Sequence, residues 1–79
     1  MTWNYRVVHQ RRDETDYYGI HEVYYDEDGR PQNVTVDPMD VGWEESVKGV
    51  AQTLKWMRKA LKQPVLEYED FAAAGGLDH

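Results

Sequence analysis

Three histidines, one serine and no cysteine limit the side-chain chemistry open to this 79-residue chain. His9 and His21 lie in stretches rich in aromatic and β-branched residues, which places them on neighbouring strands. Two imidazoles brought together can ligate a metal or pass a proton, but either role needs a carboxylate beside them, and the sequence supplies no obvious one. A satisfied structural histidine is the simpler reading of each. The acidic run Asp26-Glu27-Asp28-Gly29 opens like a calcium loop, yet its twelfth position is Asp37 rather than the bidentate glutamate such loops require. Its carboxylates are read as turn formers. Ser46 has no histidine within its neighbourhood, and the glycines of the C-terminal "AAAGGLDH" lack the strand and helix that would make them a phosphate cradle. A chain of this size is also small to enclose a pocket of about 300 Å³ or more. No catalytic residue, cofactor or metal ligand is therefore expected, and the chain is read as a non-enzyme; a histidine-based metal or enzyme site at His9 and His21 is the least favoured alternative.

The elements that would position these residues follow from periodicity. Trp3–His9 and Tyr17–Tyr25 alternate and carry aromatic and β-branched residues, so both read as strands, joined by a polar loop over Gln10–Asp16. Glu27–Gly29 reads as a three-residue hairpin loop with Gly29 at positive φ. A third strand spans Pro31–Val36, with Pro31 at its start because it has no N–H to donate. Beyond the loop Asp37–Gly42 the period changes. Val47, Val50, Leu54, Met57 and Leu61 are spaced 3, 4, 3, 4, one stripe of an amphipathic helix. Gly42 serves as its N-cap, Glu44 and Glu45 suit its positive end, and Pro64 stops it near Gln63. The expected fold is α+β: a three-stranded antiparallel β-meander with one long helix packed on one face, in the order β-β-β-α. Residues 1–71 form the single domain and residues 72–79 a disordered tail.

The three-residue loop fixes the faces of the second hairpin. With Asp26 opposite Arg30, Tyr24 meets Gln32 and the even-numbered residues of both strands share one face, the candidate core, with Leu54 at the centre of the helix stripe that covers it. The odd-numbered face then carries Tyr17, His21, Val23 and Tyr25 with nothing to cover it. Trp56 lies about 140° around the helix from the core stripe. Tyr17, His21, Val23, Tyr25 and Trp56 together make the candidate interaction surface, since aromatic side chains offer large contact area at low entropic cost.

Charge narrows the partners. The net charge is −6, unevenly spread: residues 13–45 hold eleven acids against Arg30 alone, whereas residues 46–62 hold five bases and no acid. Phosphate contacts supply most nucleic-acid affinity, so direct binding of nucleic acid is not expected of this chain. No apolar run approaches the roughly 20 residues of a membrane span, and no secretory leader opens the sequence. Cysteine is absent, so no disulfide staples the fold. A cytoplasmic protein without a membrane partner is expected.

The stretches "YRVV", "YGIHEVYYDEDGRP", Pro38–Gly42 and "KALKQPVL" together resemble a group of short uncharacterised bacterial proteins. Their pattern runs from Tyr-Arg-Val through Ile-His-Glu-Val-Tyr-Tyr-Asp and Asp-Gly-x-Pro to a helix ending near Pro-Val-Leu. The resemblance covers about residues 3–66 and implies kinship without an activity. The order of strands, loop and helix is also similar to the partial RNase H-like fold of HicB-type antitoxins. Their loop reads Gly-x-Thr-x-Glu-Glu; here "GWEESV" supplies Glu44 and Glu45, with Gly42 where the capping threonine stands. The leading functional expectation is a small acidic interaction module that pairs with itself or another protein. The alternative is an antitoxin-like inhibitor whose acidic segment Asp13–Glu45 blocks a partner's basic nucleic-acid-binding site.

Overall fold

A computed structural model describes residues 2–78; Met1 and His79, the outer ends of the expected domain and tail, lie outside the described residues. Two long strands, β1 (Thr2–Arg12) and β2 (Thr15–Tyr25), form an antiparallel hairpin in which Trp3 pairs with Tyr24 and His9 with Tyr18. The polar stretch expected to be a loop is instead the tip of this hairpin. Its turn is only Asp13-Glu14, both at positive φ (50° and 66°). A two-residue turn of this hand matches the twist of the strands. Charged pairs rather than apolar alternation hold the tip together. Arg11 reaches Asp16 at 3.5 Å, and the Arg12 guanidinium lies 5.6 Å from the centre of the Tyr17 ring.

Strand β3 (Pro31–Thr35) completes the hairpin through the loop Asp26–Arg30. Gly29 has φ 77°, and Asp26 Oδ1 accepts from the amides of Asp28 and Arg30, both at 2.9 Å, so the acidic run does form the turn. The face assignment drawn from that loop fails one residue later. Tyr25 pairs with Pro31, as the loop length demands, but a bulge follows and Tyr24 pairs with Asn33. Gln32 is the extra residue. Each one-residue slip exchanges the faces of a strand, so Val34 joins Val23 on the odd-numbered face of β2 instead of the even-numbered one.

That face is the main core. Val8, Val23 and Val34 are fully buried, and Tyr68 and Phe71 pack on them. Both aromatics come from α2 (Tyr68–Ala73), a helix within the segment that follows Pro64. The chain enters α2 from β4 (Leu66–Glu67), which runs parallel to β1, and leaves it into β5 (Leu77–Asp78), which runs parallel to β3. Residues 72–78, expected to fray, are thus the end of α2 and an edge strand. The meander of three antiparallel strands with one helix is corrected to a five-stranded mixed sheet of order β4-β1-β2-β3-β5, with a short helix of its own on the core face.

Helix α1 (Val47–Lys59), continued by a 3₁₀ turn over Ala60–Lys62, lies along β1 on the other face. Ser46 is its N-cap, not Gly42: the Ser46 hydroxyl accepts from the Gly49 amide at 3.0 Å. The helix is also rolled relative to expectation. Thr53, Met57 and Ala60 are buried, whereas Val47, Leu54 and Leu61 are 86, 50 and 70% exposed. Leu54 is not core. The sheet face below carries the aromatic group of Trp3, Tyr5 and Tyr24, with the half-exposed Trp3 ring centred 5.2 Å from that of Tyr5 and 6.4 Å from that of Tyr24. Small residues such as Thr53 and Ala60 let the helix approach that bulk, and the Thr53 hydroxyl is satisfied by donating to Glu44 at 3.0 Å. No described helix is long and apolar enough to cross a membrane.

Candidate functional site

The residues singled out from the sequence do not form one site. His9 shares its face with Tyr18 and His21 shares the opposite face with Arg6, because these pairs are direct partners in the β1–β2 ladder. The two histidines therefore cannot meet. Of the five candidate surface residues, His21 and Val23 are buried beneath α2, and Tyr25 is half-buried. Tyr17 and Trp56 remain about half exposed.

His21 is held as a structural histidine: its Nδ1 lies 2.9 Å from the Thr35 carbonyl, and its ring sits 6.1 Å from that of Tyr68. Its neighbour Arg6 is an unusual buried cation. Arg6 donates to the Tyr25 hydroxyl at 2.9 Å and to the Pro64 carbonyl at 2.7 Å, while its Nε has no partner. The Tyr25 hydroxyl in turn donates a hydrogen bond to Asn4 Oδ1 at 2.7 Å. The guanidinium thus ties β1, β2 and the chain entering β4 into one polar knot.

His9 acquires the carboxylates that the sequence did not reveal. Glu67 Oε2 lies 2.7 Å from Nδ1, and Asp16 Oδ1 lies 2.7 Å from Nε2. Such a ring can donate to both acceptors only in its doubly protonated form. The hydrogen bond to Glu67, then that to Asp16, raises the His9 pKa, and the bond from His9 lowers that of Asp16. The Tyr18 ring lies 5.0 Å away. The two acids grip opposite sides of the imidazole instead of converging on one point. No group of three or more acidic, histidine or cysteine side chains among the described residues is arranged to hold a metal ion. When His9 is protonated, the three groups form an ion-pair clamp.

A groove of about 370 Å³ lies between β1 and α1, lined by Trp3, Asn4, Tyr5, Trp56, Lys59 and Gln63. Burial, and after it the charges of Glu22 and Glu44, raises the Tyr5 phenol above its ordinary value, so it stays protonated at neutral pH. Only Trp56 was visible from sequence as an element of this groove. Its partners Trp3 and Tyr5 were assigned to a strand, with no sign that α1 would cross it. Compared with protein-family models, curated proteins and solved structures, the chain gives no match. Its function is read from its residues alone.

Proposed function

We propose that the chain is a non-catalytic protein-interaction module that pairs with a second copy through the outward side of α1. One observation carries this reading: Val47, Leu54 and Leu61 stand in line at seven-residue spacing on the solvent side of the helix. With Val50 and Met57 they complete a 3-4-3-4 heptad, the pattern of helices that pair along a seam. The fold takes Met57 from that pattern, half-buries Val50 and leaves Val47, Leu54 and Leu61 exposed. Ala51 beside the seam is small, Arg58 borders it, and Lys48, Lys55, Lys59 and Lys62 stand further round the helix. A C₂ dimer would use this patch twice and would need to bury roughly 1,000 Å² in total. The half-exposed Val65 and the fully exposed Trp43, which flank the two ends of α1, enlarge the available area.

The earlier surface on β2 contributes nothing to this dimer, since His21 and Val23 belong to the core. Trp56 lies on another side of α1. Sedimentation equilibrium tests the proposal. The wild-type chain sediments as a dimer at about 100 µM, a weak-to-moderate affinity range, and Leu54→Glu sediments as a folded monomer. A wild-type monomer under these conditions removes the reading.

A further inference from the structure

The outer edge of β1 is mostly open. Strand β4 borders it only at Val8 and His9, so Thr2–Tyr5 has no strand neighbour on that side among the described residues. Proteins usually blunt such an edge with a charge, a proline or a covering segment. Here the open stretch is Thr-Trp-Asn-Tyr, without charge or proline. The groove described above adjoins this same stretch, and its lining shows how. Trp3 and Tyr5 point to the α1 side of the sheet, whereas Asn4 points to the other, yet all three line one groove. A groove lined from both faces of a strand wraps around that strand's edge.

We infer that this edge is a binding site for an extended, acidic peptide segment that adds to the sheet as a sixth strand beside Thr2–Tyr5. Open backbone groups of β1 supply main-chain hydrogen bonds, and the groove takes side chains from alternate positions of the incoming strand. Trp3, Tyr5 and Trp56 suit an aromatic or large apolar side chain. Lys59 is the one charged residue in the lining, with Lys55 and Lys62 one turn away on the same helix; Glu22 and Glu44 act on Tyr5, so the acidic side chain seats at the Lys59 end of the groove. An acidic side chain two residues from the aromatic one shares its face and meets that charge. Charge also decides against a second copy as the occupant, because the Thr2–Tyr5 stretch of a second β1 offers Lys59 no carboxylate. The site lies on a different side of α1 from Val47, Leu54 and Leu61, so it stands independently of the dimer.

The test is an NMR titration of the full chain with the peptide acetyl-Ser-Thr-Trp-Thr-Glu-Thr-Ser-amide, up to about 2 mM, at the weak end of the affinity scale. The expected result is saturable shifts at the amides of Thr2–Tyr5 and at the Trp3 and Trp56 indoles. Replacing the peptide's glutamate with lysine weakens binding by about tenfold, and Lys59→Glu reverses that preference. A peptide N-methylated along its bonding edge fails to bind. Three results overturn the inference: no saturable shift with the spectrum intact, equal binding of the N-methylated peptide, or no preference for the acidic peptide. Shifts of Thr2–Tyr5 that depend on protein concentration alone would assign the edge to a second copy, and would also overturn it.

Discussion

Glu67 and His9 meet at 2.7 Å across the short parallel step that joins β4 to β1, although 58 residues separate them in the chain. The contact fixes the point at which the chain turns into α2, and α2 covers the main core. Asp16 holds the same imidazole from the β2 side.

This clamp gives stability a defined pH dependence. The His9 pKa is raised in the folded chain, so its contribution is fully present below the unfolded value of about 6.5 and is lost as pH rises through the folded value. The Asp16 pKa is lowered, so its contribution is present above about 3.9 and is lost as pH falls through its folded value. Wild-type protein is therefore relatively more stable than His9→Gln between about pH 4 and pH 6.5, and the difference shrinks above that range. Urea unfolding of both proteins across pH measures this; parallel curves would show that the clamp is not coupled to folding.

Gly76 lies where β5 meets β3. A Cβ there would overlap the Gln32 carbonyl oxygen, which is backbone and cannot swing aside. Gly76→Ala should displace β5 and cost about 2 kcal/mol or more, in the range of overpacking changes. Gly29, at φ 77° and with open space around it, should tolerate alanine at about 1 kcal/mol. Thermal or denaturant unfolding of the two variants decides whether the order holds.

Met57 and Leu54 separate the two sides of α1. Met57→Ala removes a buried side chain and should cost about 2–5 kcal/mol. Leu54→Ala should change the stability of the monomer by about 0.5 kcal/mol or less, as surface substitutions do. Unfolding is to be followed at low micromolar protein, where self-association does not contribute. A larger loss at Leu54 than at Met57 would reverse the observed roll of the helix.

Arg6→Met keeps the length of the buried side chain but leaves the Pro64 carbonyl without its donor. Pro64 is exposed, so water can replace the donor in part, and the loss is that of a hydrogen bond from a charged group, about 1.5–3 kcal/mol at most. The loss should appear as faster amide exchange in β4 and α2, with protection of the β1–β2 hairpin centre retained.

The middles of three strands are legible because Trp3–His9, Tyr17–Tyr25 and Pro31–Val36 are rich in aromatic and β-branched residues; Gln10–Arg12 and Thr15–Asp16, polar and charged, read as loop although they continue the first hairpin. The faces are not. The bulge at Gln32 follows Pro31, a residue that cannot donate to the ladder, but nothing in the sequence shows on which side of it the pairing resumes. The helix was legible in position, yet its heptad of apolar residues was taken for the side facing the sheet. The buried positions are Thr53, Met57 and Ala60 instead, two of them small and one of them polar. Strands β4 and β5 have two residues each, too few to show any period. Without β4, Glu67 could not be paired with His9, nor the edge groove recognised.

Both outer strands and the helix between them come from Leu66–Asp78. Synthesis from the N-terminus therefore delivers the β1–β2–β3 ribbon and α1 before anything that closes the sheet. Until Leu66–Asp78 emerge, Val8, Val23 and Val34 have no Tyr68 or Phe71 above them, and both outer strands of the ribbon lie open. The nascent chain is at its most adhesive before that segment arrives, and a message truncated near Pro64 would release a product that stays so.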